Sequence, residues 1–162
     1  MPEVRVASPA DLDARQCWRR ANVARGKVPG AQRFERVGAK LADPAALVVV
    51  AIESPGVVGM AQAEPGRVDG GALDPGLCHV SMVFVDPDRW GRGIGGQLLD
   101  AVAEAARARG HQRLQLWTGA ANERALRLYH RNGFRETGRT HHLATGEPIV
   151  QLTRNIRCDR RH

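Results

Sequence analysis

The segment Trp90-Gly91-Arg92-Gly93-Ile94-Gly95-Gly96 is where this chain first shows residues suited to chemistry. An apolar run, Val83-Phe84-Val85, ends at Pro87, and four glycines follow within seven residues. Ile94, Leu98, Val102, Ala105 and Ala106 then repeat at helical spacing. A strand, a glycine turn and a helix in direct succession gather backbone N–H groups at a helix N-terminus, where the macrodipole is positive. Gly91, Gly93 and Gly95 permit close backbone approach, and the absence of side chains leaves room for a phosphate.

A second segment lies downstream: Asn122-Glu123-Arg124-Ala125-Leu126-Arg127-Leu128-Tyr129-His130-Arg131-Asn132-Gly133-Phe134. The two segments, in this order and spacing, resemble the GNAT superfamily of acyl-CoA-dependent N-acetyltransferases. That family's first motif reads Arg or Gln, two residues, Gly, one residue, then Gly or Ala. Here the glycines match at Gly93 and Gly95, and Trp90 stands where Arg or Gln is usual. The second motif matches at Asn122, Ala125, Tyr129 and Gly133-Phe134. The detailed match covers residues 79 to 135, and the rest agrees in layout.

The resemblance implies transfer of an acetyl group from acetyl-CoA to a primary amine. It implies that Trp90, Gly91, Arg92, Gly93, Ile94, Gly95 and Gly96 cradle the pyrophosphate, and that Asn122 binds the cofactor chain. Val83, Phe84 and Val85 would hold the pantetheine arm through backbone hydrogen bonds, like an added strand. Tyr129, the only tyrosine of the chain, would give its proton to the departing sulfur. A phenol with pKa near 10 is a sensible donor to a thiolate.

The attacking ammonium must also lose a proton. In some family members a carboxylate stands on the strand four residues before the first pantetheine-holding residue, and that position here is His79. A pKa near 6.5 suits proton acceptance close to neutral pH. Strand alternation predicts that His79, Ser81, Val83 and Val85 share a face. Glu64 is a rival base, and a water chain without a single base is another. His130, His141 and His142 do not make a metal site by sequence, because no cysteine or carboxylate stands at ligand spacing and adjacent strand residues face opposite ways. No metal is expected.

Length, charge and cysteines bound these readings. The 162 residues suit one domain, with residues 1–156 as its body and 157–162 as a basic tail. The net charge is +7: residues 1–78 hold 10 Lys and Arg against 9 Asp and Glu, and residues 79–162 hold 14 against 8. A basic C-terminal half suits a cofactor with several phosphates. A nucleic-acid-binding module is the rival from another class, and a CoA-binding domain without catalysis is a third reading. Stacking on bases needs aromatics among the basic residues, and aromatics make up only 4% of the chain. Nucleic acid and membrane are therefore not expected partners. The expected acceptor is a small-molecule amine or a peptide N-terminus, and a homodimer stays open. No basic segment followed by an apolar run opens the chain. Cys17, Cys78 and Cys158 are odd in number and far apart, which points to the reduced cytoplasm.

The elements that must position these residues follow from periodicity and turn signals. A strand at Val4–Ala7 precedes a helix to about Arg25, with Ser8-Pro9 at its start. A second helix spans Ala31–Ala42, with Phe34, Val37 and Leu41 on one face. Acceptor choice is expected in Asp11–Ala42, where Trp18, Arg19, Arg20 and Arg25 stand, and in the last strand pair. Ala46–Glu53 and Val57–Glu64 read as a hairpin, Pro65–Gly76 as a loop, and Cys78–Val85 as a strand. A helix runs from Ile94 to Arg109, stopped by Gly110. A strand at Arg113–Thr118, a helix at Asn122–Arg131 and an antiparallel pair, Thr137–Leu143 with Ile149–Asn155, complete the order. The predicted fold is α/β (α+β): the GNAT fold, a central mixed, mostly antiparallel sheet flanked by helices.

Overall fold

A computed structural model describes residues 2–7, 43, 45–53, 56–68 and 71–157. The helices expected before Ala42, their candidate acceptor residues, and all of the basic tail except Arg157 lie outside the described residues. Seven strands form one sheet in the order β1-β2-β3-β4-β5-β7-β6. They are β1 (Glu3–Val6), β2 (Leu47–Glu53), β3 (Gly56–Arg67), β4 (Leu73–Val85), β5 (Arg113–Gly119), β6 (Arg135–His142) and β7 (Pro148–Asn155). Helix α1 (Ile94–Ala108) joins β4 to β5, and α2 (Glu123–Arg131) joins β5 to β6. The pair β4–β5 is parallel because α1 carries the chain back across the sheet; the other five strand pairs are antiparallel.

Hydrophobic alternation assigns the two faces. On one, Val49, Ala51, Ala61, Ala63, Cys78, Val80, Leu114, Leu116 and Leu152 pack with Leu98, Leu99, Val102 and Ala106 of α1. Gly59 lets α1 come close, since a Cβ there would meet Leu98 at 3.1 Å and Ile94 at 3.3 Å. The opposite face carries Val48, Val50 and Met60, with Met82 and Phe84 against them. Val48 to Ala51 are buried on both faces, which explains their unbroken apolar run.

Two sequence expectations are corrected. The polar stretch from Pro65 to Gly76 is not a loop: β3 continues to Arg67 and β4 begins at Leu73. Val68 donates to the Ala72 carbonyl at 2.9 Å, and Arg67 to that of Gly71 at 2.9 Å, closing a long hairpin. Pro65 is tolerated because the register shifts beside it, and Gly66 is required because a Cβ there would lie 2.5 Å from Leu77. Exposed hairpin ends are polar and glycine-rich for the same reasons that loops are, so composition alone cannot separate the two.

The second correction concerns the face of His79. The β3–β4 register pairs Gln62 with Met82 and Ala63 with Val80, which leaves Ser81 as the extra residue of a β-bulge. The Ser81 hydroxyl bonds Gln62 through both its carbonyl and its side-chain oxygen. An extra residue reverses the alternation. Before the bulge Cys78 and Val80 face α1; after it Val83 and Val85 do. His79 therefore lies on the Met82 and Phe84 face, opposite Val83 and Val85.

Cys78 is a buried free thiol, and burial pushes its pKa from 9.0 up to about 11. The folded chain thus holds this proton between about pH 9 and 11, where the unfolded chain has released it. The contribution is present below pH 9 and is lost as the pH climbs toward 11. Two pKa units amount to about 3 kcal/mol at most. We expect Cys78 to resist iodoacetamide at pH 8 in the native protein and to react once unfolded, as peptide mapping would show.

Candidate active site

The turn after β4 is built in steps. Asp86, buried, accepts from the Asp88 N–H at 3.1 Å and starts a single 3-10 turn over Pro87–Arg89. Arg89 pairs with Glu53 of β2 at 2.5 Å. This hydrogen bond holds the Glu53 carboxyl below its ordinary range and raises the Arg89 guanidinium. Trp90 then donates Nε1–H to the Val85 carbonyl at 2.8 Å, tying the turn to the end of β4. Arg124 of α2 covers its ring, 3.8 Å from the centroid. The unusual Trp90 is therefore a structural brace.

Gly91 and Gly93 have φ of 80° and 79°, a region that side chains other than glycine rarely enter. A Cβ built on either would meet nothing within 4 Å, so open space lies beside the backbone just before α1. Gly93 is the N-cap of α1 and brings no side chain to its first N–H groups. Arg92 is exposed, and the Ile94 side chain is buried in the core. Gly95 and Gly96 serve packing: a Cβ would lie 3.1 Å from Leu128 on the first and 2.9 Å from Asn132 on the second. They let α2 lie close against α1.

Beside the turn, β4 and β5 separate. Their ladder holds three registered pairs, Leu77–Arg113, Cys78–Leu114 and His79–Gln115. Further along, Leu116 to Gly119 pair only with β7, and Val83 to Val85 only with β3. Antiparallel ladders alternate bonded and non-bonded pairs. The Asp86 N–H donates to the Val58 carbonyl at 2.7 Å, so the next pair, Gly59–Val85, is of the non-bonded kind. By the same alternation Ala61–Val83 is too. The backbone groups of Val83 and Val85 are thus directed into the widening gap, while those of Phe84 are directed at β3. The Val85 carbonyl is met there by Trp90.

Helix α2 stands over the same region. The Asn122 side-chain oxygen caps it, accepting from the Ala125 N–H at 3.2 Å, and the cap does not use its amide nitrogen. Tyr129 is half-buried against the α1-side core and meets Phe134 edge-on, with ring centroids 5.7 Å apart.

His79, half-buried, pairs in register with Glu64 on β3 and with Gln115 on β5. The two rival bases are therefore neighbours on one sheet face, where directly opposed Cβ atoms lie about 5 Å apart. The Gln115 amide nitrogen is 3.4 Å from His79 Nδ1. Sequence reasoning missed Gln115, because it sits at an unremarkable strand position, and Arg124, because its contact with Trp90 depends on how α2 docks. The His141 ring lies tilted against Trp117, with centroids 5.0 Å apart. Among the described residues no group of three or more His, Cys, Asp or Glu is placed to hold a metal ion.

A mixed sheet splays between two parallel strands, with a glycine-opened helix start at the mouth, and this arrangement defines an α/β fold with a cleft at its centre. Residues 13–134 match the model of the acetyltransferase (GNAT) family, and the chain belongs to that family. A mycothiol acetyltransferase from Clavibacter sepedonicus is 33% identical over 114 residues, which are 68% of this chain and 34% of that protein. An uncharacterized N-acetyltransferase from Methanocaldococcus jannaschii is 42% identical over 60 residues, 37% of this chain and 26% of that one. The chain thus spans about a third or less of the curated relatives it matches. Among solved structures, the ribosomal-protein-S18-alanine N-acetyltransferase from Escherichia coli superposes with a TM-score of 0.76 at 19% identity, over 100% of this chain and 99% of that one. A Salmonella typhimurium structure holding its cofactor acetyl-CoA superposes at 0.73 with 20% identity, over 100% and 98%. These two show the shared fold.

Proposed function

We propose that this chain transfers an acetyl group from acetyl-CoA to a primary amine, with residues 1–156 as the acetyltransferase domain. The observation that carries the reading is the coincidence of two features. Val83 and Val85 direct backbone groups into the gap between β4 and β5, and the open Gly91–Gly93 turn lies at its end. A thioester arm laid along Val83, Phe84 and Val85 would bring its pyrophosphate to the residues from Trp90 to Gly96. Three features fit such a molecule: the cradle that side chains would fill, the positive helix end, and the amide nitrogen of Asn122.

The roles follow from the proton balance. The amine must be neutral to attack, so its ammonium gives one proton to the facing pair of His79 and Glu64. The nitrogen lone pair attacks the thioester carbonyl carbon, and collapse of the adduct breaks the C–S bond. Tyr129 gives its proton to the departing thiolate, and the second proton shed by nitrogen restores the phenol. Products are an amide and free CoA, with one proton released.

The acceptor is a small-molecule amine or a peptide N-terminus. Both classes are named among the structural relatives, one an aminoglycoside 6'-acetyltransferase and the other the ribosomal-protein acetyltransferase above. The free thiol of Cys78 fits a cytoplasmic protein, and among the described residues no helix is long and apolar enough to cross a membrane.

Acetyl-CoA at about a hundred times its dissociation constant should stabilise the fold by roughly 2.7 kcal/mol, seen as a higher melting temperature. No shift at saturating acetyl-CoA overturns the reading, and a larger shift with duplex DNA would favour a nucleic-acid module.

A further inference from the structure

A row of polar side chains crosses the sheet on the face opposite α1. It starts at Thr137 on β6, whose oxygen accepts from the Arg139 N–H at 3.2 Å. The Thr137 hydroxyl donates to Gln151 Oε1 at 2.9 Å. Gln151 is buried on β7, and its Nε2 donates to Gln115 Oε1 at 3.1 Å. Gln115 on β5 then presents Nε2 to His79 Nδ1 at 3.4 Å. Each link fixes the next. An amide nitrogen only donates and an amide oxygen only accepts, so a glutamine committed at one end has its other end determined.

We propose that Gln115, aimed by Gln151 and Thr137, is a positioning residue that sets the tautomer of His79. This deepens the acetyl-transfer reading and rests on it for its catalytic meaning. With Nδ1 accepting from Gln115, the neutral ring carries its proton on Nε2. The ring then has no lone pair to offer. Among the described residues facing it, Glu64 from β3 is the titratable one and Gln115 from β5 is neutral; Ser81, further along β4, is engaged with Gln62. In the resting polarity His79 Nε2–H can only donate, and the carboxylate of Glu64, opposite it in register, takes the ammonium proton. Reversing the chain would turn His79 Nε2 into the acceptor instead.

Gln151→Glu tests the chain without touching the imidazole. A carboxylate accepts at both oxygens, so Gln115 must turn its NH2 toward it and present Oε1 to His79. Nitrogen-15 spectra of the histidine side chains in the full chain should show His79 as the Nε2–H form in the wild type. They should show the Nδ1–H form in Gln151→Glu. Gln151→Leu removes the link without imposing a direction and should not drive that switch. A wild-type ring already in the Nδ1–H form, or a ring unchanged in Gln151→Glu, overturns the proposal. Glu64→Gln should lower turnover near neutral pH at least about tenfold with acetyl-CoA affinity kept. A full rate there overturns the assignment of the proton to Glu64. Failure of the wild type to bind acetyl-CoA would sink the acetyl-transfer reading while leaving the ring result readable.

Discussion

Tyr129→Phe should lower the turnover rate at least about tenfold while leaving acetyl-CoA affinity nearly intact. General acid–base groups contribute about a hundred- to ten-thousand-fold in rate, and the lower bound allows solvent to protonate part of the departing thiolate. The substitution keeps the ring, and with it the edge-on contact to Phe134 and the half-buried packing against the α1-side core. A loss of activity accompanied by a collapse in melting temperature would instead mark the hydroxyl as structural. The measurement is a single-turnover rate with an amine acceptor, read as free thiol, beside a thermal melt with and without acetyl-CoA. Full activity in the variant would discard Tyr129 as the acid and leave the family assignment untouched.

Gly93→Val should abolish the melting shift caused by acetyl-CoA, in a protein that still folds. The φ of 79° at Gly93 is costly for a β-branched residue, by about 1–3 kcal/mol. Nothing lies within 4 Å of the added Cβ, so packing does not add to that cost. The branched side chain would, however, occupy the space beside the first N–H groups of α1, where the pyrophosphate is proposed to sit. Gly96→Val gives the contrast: a Cβ there presses on Asn132 at 2.9 Å, so the expected loss is in stability through the α1–α2 contact. Unchanged acetyl-CoA affinity in Gly93→Val would make the turn purely structural.

Much of the site was legible because its signals are local. The glycine turn and the helical stripe from Ile94 are both properties of a few consecutive residues. The charge asymmetry and scarce aromatics likewise weighed toward a phosphate-bearing small molecule rather than a nucleic acid. The long β3–β4 hairpin was missed because glycine and polar residues mark an exposed strand end as readily as a loop.

By itself the sequence determined the element order around the turn, the glycine turn at Gly91 and Gly93, and the family to which the chain belongs. Only the tertiary structure decided which side chains meet. The bulge at Ser81 moves His79 to the face away from Val83 and Val85, because one extra residue inverts a period of two. The same register sets Glu64 beside His79 and lines up Gln115, Gln151 and Thr137. Those partners are distant in the chain, and strand register is settled by packing over the whole sheet rather than by any short segment.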